Sequence, residues 1–246
     1  MKVKEARRKM SNILEAKGIY KAYEFSKGIF TKKIKQNVLE NFSFDLVKGE
    51  ILGIVGKSGA GKSTLVKCLT GIEEADAGEI VIDSKKVFEK ELGNKAKINS
   101  FSSLEIKKKI QIIMQDPYTA LSPKRKVSSL ALEALKLYEP NLSSINIRKR
   151  VEDYFLMCGL RKEYMDAYPH ELSGGQSQRV CIASALVLSP KIVICDEITS
   201  ALDLSVQAKI LNLMLDLREK LGLTYIFISH NLELVDCLCD RKLELV

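Results

Sequence analysis

Short apolar runs alternate with amphipathic stretches along this chain, and their spacing predicts strands separated by helices. A nearly continuous apolar run at residues 50–55 enters a glycine-rich turn and is followed by a helical stretch. Similar runs occur at 191–195 and 223–228, the latter after a helical stretch at 206–221. Continuous apolar strands with helices between them are typical of a parallel sheet covered on both faces. The sequence therefore predicts an α/β fold with a mainly parallel sheet core.

Two regions depart from this alternation. Alternating stretches between about 20 and 50 and between about 78 and 88 predict an antiparallel β-subdomain, because a period of two marks half-buried strands. Residues from about 127 to 170 have a helical pattern, and we expect a helical subdomain at about 116–180. The polar stretch at about 89–105 predicts a surface excursion. Since no repeat and no Pro- or Gly-rich linker divides the chain, we expect one domain over residues 1–246.

The composition is that of an ordinary globular protein. Hydrophobic residues make up 46% and charged residues 28%, and no apolar run approaches the roughly 20 residues that span a bilayer. The basic start lacks the apolar stretch and cleavage site of a secretion signal, so we expect a cytoplasmic location. Most of the six scattered cysteines have apolar neighbours, which favours reduced, packed thiols over a metal site.

The net charge of +8 raises the question of nucleic-acid binding. Its lysines and arginines are diffuse, with small groups at 32–35, 107–109 and 148–150, and none is interleaved with stacking aromatic residues. A solvated basic surface near anionic lipid head groups explains the charge better. We therefore expect no nucleic-acid partner.

A glycine-rich motif lies where the first apolar strand meets its helix. It fits the phosphate-loop pattern G-x-x-x-x-G-K-[ST] with the residues Gly56, Lys57, Ser58, Gly59, Ala60, Gly61, Lys62 and Ser63. The glycines let backbone N–H groups curl round a phosphate, and the helix N-terminus adds partial positive charge. Lys62 can reach the β- and γ-phosphates, Ser63 can ligate Mg²⁺, and Thr64 belongs to the same nucleotide-binding set. The motif predicts a P-loop NTPase that binds Mg-ATP.

Two acidic residues follow the second apolar run. Asp196 ends that run, so its carboxylate emerges at the sheet edge where nucleotides bind in doubly wound folds. One acid can hold the Mg²⁺ shell while the next polarises the attacking water, as phosphoryl transfer requires. We expect Asp196 to be a metal ligand and Glu197 to be the general base.

A second glycine-rich helix start is formed by Ser173, Gly174, Gly175 and Gln176, after Leu172. The serine can cap the following helix, and exposed N–H groups there build a second anion site far in sequence from the first. Because two glycines cost helix stability, they indicate a close backbone approach to a charged group.

With this motif the chain resembles the ABC ATPase family, whose signature is L-S-G-G-Q. The resemblance covers nearly the whole length, with the motifs in the family's order. It implies that Gln115 is the Q-loop glutamine, which touches Mg²⁺ and water, and that residues 200–203 are the D-loop ending in Asp203 at the nucleotide site. It also implies that His230 is the switch histidine, which contacts the γ-phosphate.

The resemblance further implies how ATP is held. The family forms a head-to-tail dimer, with each ATP between the phosphate loop of one subunit and the signature of the other. We expect Tyr23 to stack on the adenine, with Tyr20 and Phe25 as alternatives. Hydrolysis loosens the dimer and moves two transmembrane permease subunits. This places the expected protein at the cytoplasmic face of the cell membrane, as a peripheral subunit.

Some details resemble one subgroup. The stretch QDPYTALSP at 115–123 is similar to the oligopeptide, dipeptide and nickel importer ATPases, and so are YPHE at 168–171 and the loop at 27–33. This similarity implies import of peptides, nickel or metal chelates with an extracytoplasmic solute-binding protein. Since such relatives commonly pair two different ATPases, we expect a second ABC ATPase in a heterodimer, with a homodimer as the alternative.

The chain departs from the family in three places. Ile198 stands where Pro is usual and Ser184 where Arg is usual, and neither change removes a catalytic group. Relatives normally continue past Val246, so a natural end and a truncation both stay open. The alternatives are an ATPase for another solute, a non-transport ABC protein and a binding-only regulatory cassette. The presence of a single cassette without heptad repeats argues against a non-transport ABC protein. The presence of both Glu197 and His230 argues against a binding-only regulatory cassette. The transported solute is not identified.

Overall fold

A computed structural model of the chain describes residues 11–25, 34–200 and 202–245, and these form two compact units. The first unit comprises residues up to 107 and those from 229 onward, and the second comprises residues 108–228. None of the described helices is both long and apolar enough to cross a membrane. The expected single domain over 1–246 stays a prediction, and the loop at 27–33 lies outside the described residues.

Within the described ranges, the first unit contains a five-stranded antiparallel sheet. In spatial order its strands are β2 (Ile34–Val47), β1 (Asn12–Phe25), β4 (Ala77–Ile82), β5 (Lys85–Lys90) and β6 (Ile98–Asn99). Alternate residues point to one buried face, where Leu14 lies opposite Ile82 and Ala16 lies opposite Ile80. The predicted antiparallel β-subdomain is confirmed.

The polar stretch at 89–105 does not form a simple surface excursion, and this expectation is wrong in part. Residues 98–99 pair with β5 as strand β6, and Phe101 is buried with its ring centroid 6.3 Å from that of Phe88. A Cβ on Gly71 would lie 2.3 Å from Phe101, so the aromatic ring packs directly on that glycine. A single apolar anchor in a polar stretch has no periodicity, which is why the pattern missed it.

The first unit also holds the strand that enters the phosphate loop. This strand and its neighbours are β3 (Ile51–Val55), α1 (Lys62–Thr70), α8 (Leu232–Leu238) and β10 (Arg241–Glu244). Every residue of β3 is buried, and β10 runs parallel to it. Arg241 Nε donates to Glu50 Oε1 at 2.9 Å, and Ile51 N donates to Asp240 Oδ2 at 2.8 Å. These bonds fix the strand that supports the loop.

Parallel strands form the centre of the second unit, with β8 (Ile192–Asp196) between β7 (Ile110–Ile113) and β9 (Thr224–Ile228). Helix α2 (Leu104–Lys109) crosses the division between the units. The other helices are α3 (Pro117–Ala120), α4 (Ser129–Tyr138), α5 (Ser144–Met157), α6 (Gly174–Leu186) and α7 (Leu204–Leu221), with 3₁₀ turns at Lys162–Asp166 and Pro169–Glu171. The predicted fold class is confirmed, and the limits of the helical subdomain stay a prediction.

The cysteines are free thiols in the described structure, and four of them are buried. Burial raises the pKa of the Cys158 and Cys181 thiols to about 12, so these groups stay protonated and pack as small apolar side chains. Cys237 is exposed.

Candidate functional site

The phosphate-loop motif joins β3 to α1 and leaves the start of the helix open. Gly61 is the N-cap residue with a φ of 94°, and no described side chain caps the helix. A Cβ at Gly61 would lie 2.9 Å from the carbonyl oxygen of Val38, so glycine is required by both the backbone and the space. The first N–H groups of α1 are therefore not used by a side-chain cap, and such groups bind anions well.

Lys62 is buried against the inside of this loop. Its Nζ donates to the carbonyl oxygens of Gly56 at 2.8 Å and Lys57 at 3.0 Å. These bonds hold a positive charge beside the uncapped helix start, while Ser58 and Gly59 at the tip of the loop are exposed. The arrangement suits a polyphosphate, because both the ammonium group and the helix N-terminus attract anions.

The hydroxyl residues of the motif point in different directions. Ser63 is exposed on the first turn of α1, whereas Thr64 is half-buried and its Oγ1 lies 3.4 Å from Tyr23 Oη. Tyr23 Oη also donates to Glu73, and Lys21 Nζ lies 5.4 Å from the centroid of its ring. Burial, and then the bond to Glu73, raises the pKa of Tyr23. Strand β1 therefore brings Tyr23 to the helix of the phosphate loop.

The alternatives to Tyr23 have other surroundings. The backbone carbonyl of Tyr20 accepts from Asp76 N at 2.8 Å, which fixes that part of β1. The side chain of Phe25 lies outside the described residues. Of Tyr20 and Tyr23, the structure shows contact with the phosphate-loop helix for Tyr23, and the adenine-stacking role stays a prediction.

His230 is exposed in the turn between Ser229 and the start of α8. Ser229 N donates to the carbonyl oxygen of Ile54 at 3.3 Å, which attaches the turn to β3 one residue before that strand ends. Asn231 caps α8 by accepting from Leu234 N at 3.1 Å, and its own N–H donates to Ser229 Oγ at 3.0 Å. These bonds set His230 near the carboxyl end of the strand that carries the phosphate loop.

In the second unit, Asp196 ends β8 and Glu197 follows it with a left-handed backbone. The φ of Glu197 is 48°, a conformation that residues other than glycine rarely adopt. Its N–H donates to the carbonyl oxygen of Ile228 at 3.0 Å, and its carbonyl accepts from Ser200 N at 3.0 Å. Such strain persists only where surrounding bonds determine it, and it concentrates at functional sites.

Gln115 lies two residues beyond the end of β7. Its Nε2 donates to Ser200 Oγ at 3.1 Å, and that hydroxyl donates to the carbonyl oxygen of Glu197 at 3.0 Å. The structure thus connects the expected Q-loop glutamine to the residue expected to be the general base, within one unit.

The signature residues begin α6 with a closed set of bonds. Ser173 Oγ accepts from Gln176 N at 3.3 Å, and Gln176 Oε1 accepts from Ser173 N at 2.8 Å, forming a capping box. A Cβ at Gly175 would lie 2.6 Å from Val206 at the start of α7, whereas a Cβ at Gly174 would meet only Leu202, at 3.5 Å. Packing within the unit therefore requires glycine at position 175 but not at position 174.

Asp203 caps α7, because its Oδ1 accepts from Val206 N at 3.0 Å and from Ser205 Oγ at 2.9 Å. The backbone bond from Val206, and then the bond from Ser205, holds the pKa of Asp203 below its usual range. Asp203 is exposed, and its expected role at the nucleotide stays a prediction. Ala201 of the same D-loop lies outside the described residues.

Known proteins resemble this chain over most of its length. It matches the ABC transporter family over residues 39–200. The chain belongs to the ABC transporter family. The dipeptide transport ATP-binding protein DppF of Haemophilus influenzae is 43% identical to it, over 93% of this chain and 67% of that protein. The oligopeptide transport ATP-binding protein OppF of the same organism is 42% identical, over 87% of this chain and 62% of that protein.

A solved structure supports the same fold. It is the dimeric ATP-binding cassette MJ0796 in a post-hydrolysis state bound to ADP and Pi, which is 28% identical with a TM-score of 0.73, over 94% of both chains. The predicted family and class of enzyme, an ATPase, are confirmed, and so is ATP as its nucleotide. This chain spans about two thirds of the length of the two transport proteins.

The ABC cassette contains two supporting residues that the sequence did not single out by themselves. Tyr164 Oη accepts from Gln176 Nε2 and from Arg161, at 3.0 Å each, and so holds the signature glutamine. Ser200 joins Gln115 to Glu197. Tyr164 has no local signal, because a tyrosine in a turn is an ordinary surface residue. Ser200 belongs to the expected D-loop, but only its tertiary contacts reveal that it joins these two residues.

Proposed function

We propose that this chain is the ATP-hydrolysing subunit of an ABC importer that takes up peptides. The observation that carries the proposal is the buried ammonium group of Lys62, bonded to two loop carbonyls beside an uncapped helix start. A group of this kind suits the phosphates of ATP rather than a neutral ligand. The names of the similar transport proteins support peptides as the solute, with nickel or another metal chelate as the alternative.

In this proposal the chain's residues divide the work on ATP. The phosphate loop and Lys62 bind the phosphates, Thr64 lies alongside, and Tyr23 stacks on the adenine. Glu197 takes the proton of the attacking water, and His230 donates a hydrogen bond to the γ-phosphate.

Ser63, Gln115 and Asp196 are the proposed Mg²⁺ ligands. They offer a hydroxyl, an amide oxygen and a carboxylate, which are the hard oxygen donors that Mg²⁺ prefers. When bound, the ion neutralises charge that develops on the phosphate oxygens. Asp196 ends a buried strand, so its carboxylate is held by the sheet rather than by a loose loop.

The proposed working unit is a head-to-tail dimer that closes on ATP. The signature residues Ser173 to Gln176 of one subunit bind the γ-phosphate held by the phosphate loop of the other, and Asp203 lies at the same interface. Gly174 is half-buried, and a Cβ there would make only an ordinary contact, at 3.5 Å, with Leu202, so packing within its own unit does not require glycine, which supports this role. Partner-facing glycines let a backbone approach a charged group closely.

The proposed partners follow from this role. A second, different ABC ATPase completes the dimer, two transmembrane permease subunits carry the solute, and an extracytoplasmic solute-binding protein delivers it. The cassette then acts as a peripheral protein at the cytoplasmic face of the membrane, as one domain with a helical subdomain at about 116–180.

Sizing of a Glu197→Gln variant tests the proposal, since loss of the base traps ATP before hydrolysis. We expect a dimer only with Mg-ATP, in the variant alone or mixed with a candidate partner ATPase. Lys62→Ala in the same background should abolish the dimer. Glu219→Gln, an equal charge change on the exposed face of α7, should stay monomeric because it still turns ATP over. A nucleotide-bound monomer in every mixture would contradict the proposed clamp.

The solute class needs a separate measurement. ATP turnover of the complex assembled with its permeases should rise when the binding protein is loaded with peptide. An equal rise with nickel alone, and none with peptide, would replace peptide by the alternative.

A further inference from the structure

Ser200 connects two residues that belong to different loops of the second unit. Its Oγ accepts from Gln115 Nε2 at 3.1 Å and donates to the carbonyl oxygen of Glu197 at 3.0 Å. Its backbone N–H donates to the same carbonyl oxygen at 3.0 Å. One exposed serine therefore joins the loop after β7 to the loop after β8.

The direction of these bonds follows from the chemistry of the three groups. A backbone carbonyl only accepts, so the hydroxyl hydrogen of Ser200 is directed to Glu197. The lone pairs that remain on Oγ accept, so the group of Gln115 that lies 3.1 Å from Oγ is its NH₂ rather than its oxygen. Because the amide oxygen and nitrogen lie on opposite sides of a planar group, Oε1 of Gln115 then faces away from Ser200.

The backbone of Glu197 depends on the same serine. Its φ of 48° lies in the left-handed region, where a side chain is rarely tolerated without support. Backbone bonds give that support: the N–H of Glu197 donates to Ile228, and the two donors of Ser200 meet on its carbonyl. Ser200 supplies two of these bonds, so it helps to set the turn from which the carboxylate projects.

We propose that Ser200 is a positioning residue that fixes the Gln115 amide with Oε1 turned outward as a cation ligand and ties that amide to the backbone of Glu197. The inference rests on the proposed function, in which Gln115 ligates Mg²⁺ and Glu197 is the general base. One hydroxyl group then transmits a displacement of the Q-loop glutamine to the turn that carries the base.

ATP affinity with and without Mg²⁺ tests the proposal, measured in a Glu197→Gln background so that nothing is hydrolysed. The readout is the factor by which Mg²⁺ strengthens ATP binding over the value in EDTA. Ser200→Ala should lower that factor by about threefold to tenfold, the range of one neutral hydrogen bond, and leave the affinity in EDTA unchanged. Ser200→Thr keeps a hydroxyl and should restore the factor.

The chain offers a matched control at Thr119. Its Oγ1 donates to the carbonyl oxygen of Asp116, three residues earlier, at 2.8 Å, which is the same exposed geometry as Ser200 on Glu197. Thr119→Ala should change neither affinity. Gln115→Ala removes the proposed ligand itself and should lower the factor at least as much as Ser200→Ala, and the double variant should lose no more than Gln115→Ala, because Ser200 acts through that amide.

The outcomes separate this inference from the function on which it rests. If the Glu197→Gln parent fails to bind ATP, the proposed function falls and the inference falls with it. If the parent binds Mg-ATP but Ser200→Ala keeps the full Mg²⁺ factor, only the positioning role is overturned. The role is also overturned if Ser200→Thr behaves like Ser200→Ala, or if losses at Gln115 and Ser200 add.

Discussion

The phosphate loop and the signature turn both put glycines at the start of a helix, yet they treat the free N–H groups there in opposite ways. Helix α1 has no side-chain cap among the described residues, and Gly59 and Gly61 have φ values of 84° and 94°. Helix α6 is closed by the capping box of Ser173 and Gln176, and neither Gly174 nor Gly175 has a positive φ.

The two regions therefore use glycine for different physical reasons. The phosphate loop needs glycine because its backbone is left-handed. The N–H groups at the start of its helix and the ammonium group of Lys62 can then bind an anion. The signature turn needs close packing at Gly175, where a Cβ would meet Val206, and its capping box uses the N–H groups of Ser173 and Gln176. Packing within the unit gives no reason for glycine at position 174, which fits the proposed ligand from a partner subunit.

The largest expected effect comes from substituting a glycine of the phosphate loop. Gly61→Ala forces a side chain into left-handed backbone and against Val38, and we expect it to destabilise folding by about 2–5 kcal/mol and to abolish ATP binding. Gly59→Ala is the matched control, since its φ is similar but a Cβ there meets nothing within 4 Å. It should cost only about 1–2 kcal/mol. Equal unfolding midpoints in denaturant for the two variants would contradict the steric argument.

The second prediction separates packing from ligand binding in the signature. Gly175→Ala brings Cβ to 2.6 Å from Val206 and should destabilise folding by about 1–3 kcal/mol. Gly174→Ala makes an ordinary contact at 3.5 Å with Leu202, so its stability should change by less than about 0.5 kcal/mol. Sizing with Mg-ATP should nevertheless show weaker dimerisation for Gly174→Ala. Normal dimerisation in that variant would argue against a partner ligand at Gly174.

The same comparison explains what the sequence could predict. The spacing of glycine, lysine and serine identified the phosphate loop, because all the residues that its backbone conformation requires lie in one short segment. Alternation and apolar runs likewise identified the sheets. The left-handed backbone of Glu197 was not predictable, since no glycine marks it and its supporting bonds come from Ser200 and Ile228. Phe101 was missed for a similar reason: its burial depends on Phe88 and Gly71, which are distant in sequence.

The third prediction removes the cap that distinguishes α6 from α1. Ser173→Ala leaves Gln176 N without its acceptor and should cost about 1 kcal/mol in the free energy of unfolding. Ser143 caps α5 in the same manner, accepting from Asn146 N at 3.3 Å, so Ser143→Ala should cost a similar amount. ATP-driven dimerisation should weaken only in Ser173→Ala. If both variants dimerise equally well, Ser173 is a helix cap and nothing more.

The smallest expected effect concerns the tyrosine that holds the signature glutamine. Tyr164→Phe removes the oxygen that accepts from Gln176 Nε2 and from Arg161, but it keeps the ring, whose centroid lies 5.3 Å from the Arg161 guanidinium. Dimerisation on ATP should weaken by about twofold to tenfold, because one neutral hydrogen bond positions the glutamine, while the ATP affinity of the monomer stays unchanged. Tyr154→Phe removes a similar exposed bond, to Ser189 Oγ at 3.0 Å, and should alter neither value. A loss of monomer ATP affinity in Tyr164→Phe would mean that this tyrosine supports the fold in general, and the signature turn would then owe its geometry to the capping box alone.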